Sequence, residues 1–446
     1  MLVTALVGVT LGVAVPESVG LPEGEAVAPA TVPEPTAGDA DDTDDTDDAD
    51  DTDDTGDTGD TGDTDDENGL RWYAIPNVAF DTDDGLGFGV RGELALDAPG
   101  YAPYRSAYVL HLFITSRGFQ HHRIRYDRTG FGPGGRLRLT AHLAWRQWLN
   151  DGYWGIGNGT QRERAYVGPF DGDDPRRKRY RYSLFQPFLH VTGRGQISEA
   201  WQVFVSVNPK WSTVRLYSGS LLAEQRPFGW DGGLSVISSA GVLYDTREPE
   251  ITPRQGVLVE LSGRLAPPVP ESAGTFGGGF VSARGFLPLG TRLTLAARGM
   301  AEWLFGDIPF YEMVHWGGMQ PIAGFGGADT IRGVSFGRWR APGKAVANLE
   351  ARFDIGSTDF RGDRLQGLVV PYLDAGIVFG AGSLGTAPDT DFPVHPAAGL
   401  SLRAVYAEAF VGRIDSGFGI DPVRAASGRV RNELSWGMYV VFDHPF

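Results

Sequence analysis

One serine-centred motif in this chain of 446 residues has spacing that could support nucleophilic catalysis. Residues 333–337 read Gly-Val-Ser-Phe-Gly, which fits the Gly-x-Ser-x-Gly pattern of a nucleophilic serine. That pattern works at a sharp turn between a strand and a helix. Here an Arg-Trp-Arg run and a Pro-Gly turn follow it, so no helix is predicted after Ser335. We expect no catalytic serine, and no other triad can be assembled.

Histidine and glycine motifs give no better case for a metal or a cofactor. His121 and His122 are adjacent, and neighbouring residues in a strand point to opposite faces, so the two are not expected to share one metal ion. The glycine-rich segment 324–327 lacks the Lys-Ser/Thr that completes a phosphate-binding loop. The sequence therefore predicts a protein that is not an enzyme and that has no cofactor and no metal site.

A short basic run, Arg176-Arg177-Lys178-Arg179, follows the acidic segment 171–175. Runs of this kind can contact nucleic acid, but this one is expected in a hairpin loop beside acidic residues. Two interpretations stay open: contact with the phosphates of lipopolysaccharide, or a loop held by its own salt bridges. No nucleic-acid partner is expected.

The acidic charge of the chain is concentrated near its amino terminus. The formal net charge is -17, and residues 39–67 alone hold 16 Asp and Glu67 with no Lys or Arg. Residues 68–446 carry 35 acidic and 39 basic residues, so this region is slightly basic. The absence of Cys excludes a disulfide framework and any Cys-ligated zinc or iron–sulfur site.

The first 70 residues have the composition of export and linker segments. Residues 2–15 are almost wholly apolar, which predicts a signal peptide within residues 1–20. Residues 21–70 are rich in Pro and Glu and then in Asp and Thr, and they predict a disordered, solvated linker. Carboxylates could bind Ca²⁺ weakly, but the spacing lacks the pattern of a calcium-binding hand loop.

From residue 71 onward, apolar and polar residues alternate with a period of two. In residues 136–146 Arg and His lie on one face, and Leu, Ala and Trp lie on the other. Residues 257–265, 293–303 and 347–353 show the same separation. Turn signals rich in Gly, Pro and Asp divide these runs. This is the pattern of β-strands, and it predicts an all-β domain over residues 71–446.

Three features favour a transmembrane barrel over a soluble sandwich. The polar faces carry Arg, Glu and Asn, as a water-filled lumen requires. The chain ends on a strand-like run from Trp436 to Phe446. Aromatic residues near strand ends suggest the two interfacial girdles of a barrel; these are Trp145, Trp148, Tyr153, Trp154, Trp303, Phe305, Phe310 and Tyr311. We therefore predict an antiparallel transmembrane β-barrel of sixteen strands.

Four segments together resemble a known family. They are Ile331-Arg332-Gly333-Val334, Tyr372-Leu373-Asp374-Ala375-Gly376, Tyr244-Asp245-Thr246-Arg247 with Pro253 and Gly256, and Tyr153-Trp154-Gly155-Ile156-Gly157-Asn158. In this order they are similar to motifs of the bacterial surface antigen barrels. That superfamily includes outer-membrane assembly insertases and two-partner secretion transporters. The resemblance runs from about residue 75 to Phe446.

The resemblance implies a long loop, residues 306–343, that folds into the lumen. Arg332 and Gly333 on the loop would meet Asp374 and Gly376 on a following strand, and we call these four residues the loop anchor. An Arg inside a barrel needs a carboxylate partner, because an unpaired buried charge costs several kcal/mol. Alternation places Asp374 on the lumen face. We expect the loop to narrow or plug the lumen.

Two further groups of site residues come with the resemblance. Tyr244, Asp245, Arg247 and Gly256 would form a hairpin motif, in which Glu248 stands where Asp is usual. A terminal strand that targets the barrel for assembly would present one apolar face; its residues are Trp436, Met438, Val440, Phe442 and Phe446. The sequence departs from the family at Val334, where an aromatic residue is usual. It departs again before the barrel, where an acidic linker stands in place of polypeptide-transport-associated domains.

These features predict a protein of the bacterial outer membrane with its linker in the periplasm. The expected function is to assist the insertion or translocation of protein or lipid, using a weak seam between the first and last strands. The alternative is a passive structural barrel or a small-solute channel. Expected partners are outer-membrane lipid and lipopolysaccharide, the barrel-assembly machinery for its own insertion, and a polypeptide client or periplasmic partner.

Overall fold

The computed structural model describes residues 69–442, apart from 102–103, 169, 171–173, 250–251, 361, 385–392 and 408–409. The predicted signal peptide, nearly all of the predicted linker and the terminal Phe446 lie outside the described residues. No helix in the described part of the chain is both long enough and apolar enough to cross a membrane.

Seventeen strands account for most of the described residues. They are β1 (Leu70–Asp81), β2 (Gly85–Leu96), β3 (Ser106–Thr115), β4 (Phe119–Phe131), β5 (Leu137–Gly152), β6 (Arg162–Glu163), β7 (Arg181–Gln196), β8 (Trp201–Leu216), β9 (Gly233–Asp245), β10 (Gly256–Ala266), β11 (Phe276–Leu289), β12 (Leu293–Gly306), β13 (Gly343–Phe360), β14 (Asp363–Phe379), β15 (His395–Tyr406), β16 (Phe410–Arg424) and β17 (Val430–Val441). The helical elements are short: helix α1 (Leu221–Gln225) and 3₁₀ turns at Pro133–Gly135, Arg164–Tyr166, Pro175–Lys178, Glu312–Val314 and Ala381–Leu384.

Sixteen of these strands form one closed antiparallel barrel. Each strand pairs with the next along the chain, and β5 pairs directly with β7. The two-residue strand β6 lies outside this wall and pairs in parallel with the end of β16. β17 returns to β1 and closes the barrel. The predicted fold class and strand number are confirmed.

The alternation read from the sequence separates the side chains that face the lumen from those that face outward. On β13, Leu349 is 55% exposed, whereas its neighbours Asn348 and Glu350 are buried in the lumen. On β14, Leu373 is 59% exposed and Asp374 is buried. An outward belt of Leu, Val and Trp with charges inside is the arrangement of a membrane-spanning barrel. Its closed wall also lets strands satisfy their backbone groups within the hydrocarbon.

The two ends of the barrel differ in the length of their connections. The three longest connections, residues 153–180, 217–232 and 307–342, all lie at one end, which we call the long-loop end. The connections at the other end, such as 197–200 and 290–292, are mostly short turns. We call this the short-turn end.

The seam between β1 and β17 is the shortest pairing in the wall. Its register consists of Phe80 with Val440 and Asp81 with Tyr439, and Thr82 N adds one bond to Met438 O at 3.2 Å. In contrast, the β1–β2 and β16–β17 ladders run along the full length of their strands. In the described residues, which end at 442, most of the facing edges of β1 and β17 are therefore not paired with each other.

The prediction of aromatic girdles is correct for some residues and wrong for others. Trp145, Trp303 and Phe305 are exposed on the outer surface, as predicted. The other five are buried and pack inside the barrel mouth: Trp148, Tyr153, Trp154, Phe310 and Tyr311. They are buried because the long loops turn inward. Trp148, Tyr153, Phe310 and Tyr311 belong to one buried cluster, and Trp154 stacks on Tyr180.

Candidate functional site

The connection between β12 and β13, residues 307–342, folds back into the lumen. Trp316 and Trp339 in this inward loop are completely buried. Bonds within the loop fix its path: Trp316 N donates to Ile322 O over 2.9 Å, and Trp316 Nε1 donates to Gly324 O over 2.8 Å. The predicted inward fold of this loop is confirmed.

Arg332 lies at the centre of the contact between loop and wall. Its Nε and Nη2 donate to Oδ2 and Oδ1 of Asp374 over 2.8 and 2.9 Å, and its backbone N donates to the same Oδ2 over 3.0 Å. Its Nη1 donates to Oε1 of Glu350 over 2.8 Å. The guanidinium carbon also lies 3.4 Å from the centroid of the Tyr372 ring. The loop is therefore held by a bidentate, charge-assisted contact, which is the strong form of a side-chain hydrogen bond.

The charge of Arg332 is stable in this environment. Burial acts to lower the pKa of Arg332, but the carboxylates of Asp374 and Glu350 raise it more, so its pKa lies well above the usual value. The guanidinium therefore stays protonated inside the barrel.

Glu350 connects this contact to the neighbouring wall. It accepts from Arg403 Nη2 over 2.5 Å and from Arg352 Nε over 3.0 Å, in addition to Arg332. Sequence reasoning placed Glu350 on the polar face of its strand but gave it no partner, and it did not single out Arg403. Their shared lumen face was the available signal. One carboxylate thus serves three arginines, which ties the loop to β13 and β15.

Gly333 and Gly376 allow the loop to approach the wall closely. Gly333 has φ +100°, and a Cβ there would lie 2.6 Å from Gly417 C and 2.7 Å from Phe418 N. At Gly376 a Cβ would collide with Ile331 of the loop. Only glycine both adopts the positive φ of Gly333 easily and leaves room for the backbone of β16 beside it. The structure thus brings all four residues of the predicted loop anchor together.

The tip of the loop touches both sides of the seam from within. Gly333 N donates to Tyr439 OH over 3.2 Å, and Ser435 Oγ donates to Gly333 O over 2.6 Å, so the tip is bound to β17. Three residues later, Phe336 N donates to Oδ2 of Asp83 over 2.7 Å, in the turn between β1 and β2. The inward loop therefore bridges the two strands that the short seam joins.

Two further loop arginines reach other parts of the barrel. Arg338 donates through Nε and Nη2 to Oδ1 of Asp421 on β16, over 2.9 and 2.8 Å. The carbonyl of Arg340 accepts from Gly157 N over 2.8 Å. Gly157 belongs to the aromatic motif of residues 153–158, whose position in the fold was not predicted. This motif packs beside the inward loop.

Val334, at the position where the family has an aromatic residue, is 2% exposed. It packs in a buried cluster with Phe325, Ile331 and Trp339. A Cβ on Gly419 of β16 would lie 2.5 Å from Val334 Cγ2, so the valine occupies the space above that glycine. The smaller side chain is thus accommodated by close packing against β16.

The predicted hairpin motif forms a structural turn at the short-turn end. Arg247 donates through Nε and Nη2 to Asp245 over 2.9 and 2.8 Å. The ring of Tyr244 packs at a tilt against Trp201 of the neighbouring strand, with ring centroids 5.1 Å apart. Gly256 has φ +90°, and a Cβ there would overlap the carbonyl of Thr246. The motif lies away from the loop anchor, so it does not form part of the same site.

The last strand carries the predicted terminal residues on one face. Trp436 is 52% exposed on the outer surface, and Met438, Val440 and Phe442 are partly exposed. On the opposite face, Tyr439 and Gly437 are buried beside the loop tip. Phe446 lies outside the described residues.

The remaining chemistry-bearing residues are separated from one another. Ser335 lies in the inward loop, and the residues after it form turns and coil up to β13. His122 packs on Trp145 at 5.0 Å, whereas His121 points inward beside His111 at 6.1 Å. Within the described residues no group of three or more His, Asp or Glu side chains is placed to hold a metal.

The basic run is neutralised locally for the most part. Arg176 pairs with Asp174 at 2.6 Å, and Arg179 pairs with Glu224 at 2.5 Å. Lys178 lies 5.0 Å from the centroid of the Tyr217 ring. These contacts favour the interpretation of a salt-bridged loop over that of a free phosphate-binding patch.

Solved structures of outer-membrane proteins share this fold. The chain is similar to BamA from Haemophilus ducreyi lacking POTRA domains 1–3, with TM-score 0.53, 14% identity, and coverage of 84% of this chain and 70% of that chain. It is also similar to CdiB from Escherichia coli, with TM-score 0.52, 13% identity, and coverage of 83% and 63%. This chain thus spans less than two thirds of the CdiB chain, and at these identities the likeness concerns the fold alone.

No curated protein matches the chain in sequence. The family model of the Omp85 superfamily domain matches residues 200–446, which is more than half of the chain. That range contains the inward loop, its anchor on β14 and the closing strand β17. The protein therefore belongs to the Omp85 superfamily of outer-membrane β-barrels.

Proposed function

We propose that this outer-membrane barrel assists the insertion or translocation of polypeptide or lipid by opening between β1 and β17. The observation that carries the proposal is the seam: in the described residues, which end at 442, two register pairs hold the first strand to the last while the loop tip bridges them from inside. Opening this described part of the seam breaks few backbone hydrogen bonds.

An opened seam would expose two strand edges within the membrane. Unpaired N–H and C=O groups on such edges are a template for another strand. A polypeptide that enters the membrane as a β-strand could pair there, and a lipid could pass through the gap. The bonds from Gly333 to Tyr439 and from Phe336 to Asp83 would have to break or move first. The inward loop would thus act as an internal latch on the seam.

The remaining assignments follow from this orientation. The longer loops of bacterial outer-membrane barrels face outward, which would place residues 21–70 in the periplasm as a linker after a signal peptide. The apolar face of β17 would be read by the barrel-assembly machinery during insertion. Lipid and lipopolysaccharide would surround the exposed belt, and a polypeptide client or periplasmic partner would meet the short-turn end.

The test is a reversible cross-link across the seam. The chain contains no Cys, so Phe80→Cys and Val440→Cys would be the only thiols. The two positions are paired in register, and directly opposite Cβ atoms lie about 5 Å apart. A short reducible bis-maleimide would join them in protein reconstituted in liposomes. The rate at which an unfolded outer-membrane barrel inserts into those liposomes would then be measured.

The matched control joins Ile420→Cys and Leu434→Cys, a register pair between β16 and β17 that does not cross the seam. We expect the seam cross-link to remove the acceleration of insertion and reduction to restore it, with no effect of the control cross-link. Equal activity before and after cross-linking the seam would contradict the proposal. If the unmodified barrel gives no acceleration but a steady conductance in planar bilayers, the passive-channel alternative is favoured.

A further inference from the structure

The lumen wall opposite the loop anchor carries positive charge that its surroundings do not neutralise. It consists of five inward side chains on β4 and β5, which we call the cationic wall: His121, Arg123, Arg125, His142 and Arg146. Between them, Ile124 is 54% exposed and Leu143 is 61% exposed on the outer surface, so the alternating partners face the lumen. The strand order places β4 and β5 half a turn around the barrel from β13 and β14.

The strand register concentrates these groups. His121 is paired with Arg146, and Arg125 is paired with His142. Side chains that are directly opposite have Cβ atoms about 5 Å apart, so each of these arginines lies against an imidazole. Arg123 and Arg125 lie two residues apart, on the same face of β4. The cluster extends to both neighbouring strands, since the His111 ring lies 6.1 Å from His121 and the His190 ring lies 6.1 Å from His142.

The acidic residues near this wall do not balance it. Arg125 pairs with Asp127 at 2.7 Å, but the same carboxylate oxygen also accepts from Arg138 at 2.5 Å. Arg123 and Arg146 have no carboxylate within ion-pair distance in the described part of the chain. Within the described residues, one carboxylate therefore serves two arginines of this region, and two further arginines have no carboxylate within ion-pair distance.

Several donors on the wall also lack a hydrogen-bond acceptor in the described protein. They are the buried Nε atoms of Arg123, Arg125 and Arg146. Among the residues that the structure describes, the one side-chain acceptor for Arg146 is Gln186 Oε1, at 3.4 Å from Nη2. Buried donors nearly always have a hydrogen-bond partner in folded proteins, and a buried donor without one costs about 1–3 kcal/mol. The arrangement therefore calls for an acceptor rich in anionic oxygen.

The space beside the wall can admit such a group. The side chains of Arg125 and Arg138 are each 29% exposed, so the lumen reaches them. A cavity of about 350 Å³ lies against His121 and Arg146, and Asp81, Asp84 and Asp329 also line it. These three carboxylates would repel an anion and keep it on the arginine side. Guanidinium groups match the geometry of phosphate oxygens and bind them bidentately.

We propose that the cationic wall is a binding site for a phosphate group, carried either by a free phosphate compound or by a lipid headgroup. The five side chains belong neither to the loop anchor nor to the register pairs of the seam. The proposal therefore stands independently of the proposed insertion or translocation function.

The test is calorimetric titration of the full chain, folded in a zwitterionic detergent, with two probes. Inorganic pyrophosphate represents the free compound, and dioctanoyl phosphatidic acid represents the headgroup. Arg123→Gln with Arg146→Gln is expected to weaken the affinity for the bound probe about tenfold or more, because two charge-assisted contacts are lost. Arg123→Lys with Arg146→Lys keeps the charge and should lose less. Arg128→Gln is the matched control, since Arg128 lies on β4 but shares register with outward Leu139.

Folding of each variant is checked by its heat-modifiable migration on gels. If the double variant does not fold, Arg123→Gln alone decides, with an expected loss of about threefold. Tighter binding of the lipid than of pyrophosphate would assign the headgroup, and equal binding would assign the free compound. Absence of binding by the natural chain, or an equal loss in Arg128→Gln, would overturn the proposal.

Discussion

The two halves of the lumen wall handle buried charge in different ways. On β13 to β16, wall carboxylates meet arginines from the inward loop: Asp374 and Glu350 bind Arg332, and Asp421 binds Arg338. On β4 and β5, Arg123 and Arg146 face the lumen without a carboxylate in the described protein. In the first half the protein neutralises its own buried charges, whereas the second half is suited to an anion that enters the lumen.

A polar lumen face thus has two distinct roles: it holds a loop through ion pairs, or it offers positive charge to a ligand. Breaking a buried ion pair leaves an uncompensated charge and is strongly destabilising. Removing a charge that repels its neighbours leaves nothing behind and costs little. Charge removal should therefore have opposite consequences in the two halves, and this difference can be measured.

The largest effect is expected at the loop anchor. Arg332→Ala and Asp374→Ala should each lower the free energy of unfolding by about 3–5 kcal/mol, because each leaves a buried charge without its partner. The double variant should be no worse than either single one. Urea unfolding and the heat-resistant fraction on gels measure this. The solvent-exposed pair Arg176–Asp174 is the control, and breaking it should leave the unfolding midpoint almost unchanged, because water screens the pair. Fully additive losses at the anchor would contradict direct pairing.

Gly333→Ala should cause the next largest loss in the free energy of unfolding. Alanine would clash with the backbone of β16 and would hold an unfavourable φ, which together cost about 1–3 kcal/mol or more. Gly356→Ala is the matched control. Gly356 also has a positive φ, of +129°, but it has open space around its Cβ position. It should lose only about 1 kcal/mol. The two unfolding midpoints in urea separate the steric contribution from the conformational one. Equal losses would show that the close approach to β16 carries no energy.

In the cationic wall, Arg123→Gln should change stability by less than about 1 kcal/mol, and in the stabilising direction. It removes a repulsive neighbour of Arg125 on the same face of β4, and in the described protein it leaves no acid unpaired, since Asp127 keeps Arg125 and Arg138. Unfolding in urea without added phosphate measures the change. A loss comparable to that of Arg332→Ala would remove the distinction between the two halves.

A separate effect, on the pH dependence of stability, concerns Asp84 in the turn between β1 and β2. Burial, together with the charges of Asp83 and Asp151, raises the pKa of Asp84 to about 7. The folded protein then holds this proton more tightly than the unfolded chain, whose Asp has a pKa near 4. The stability contribution is present below about pH 4 and is lost as pH rises to about 7. Asp84→Asn should flatten the fall in unfolding midpoint between pH 5 and 8; an unchanged slope would contradict this.

Much of the barrel could be predicted because alternation is local. The run 347–353 placed Leu349 towards lipid and Asn348 and Glu350 towards the lumen, and the structure agrees. The same rule placed Asp374 inside. Strand identity and facing depend on neighbouring residues, so a single sequence contains them.

The partners across the lumen could not be predicted in the same way. Nothing near Glu350 in sequence indicates Arg403, and nothing near Asp421 indicates Arg338; these contacts depend on how a loop folds into a closed barrel. The error on Tyr153 and Phe310 has the same cause. Aromatic residues at strand ends suit either a lipid interface or a buried loop core, and only the loop path decides between them.

The bond between Phe336 and Asp83 joins residues that are 253 positions apart. Contacts of such long range form late, because the entropy of closing a large ring must be overcome before they stabilise anything. The turn after the first strand must therefore wait for the last third of the polypeptide before it finds its partner. A chain that ends before residue 336 would leave that carboxylate without this partner.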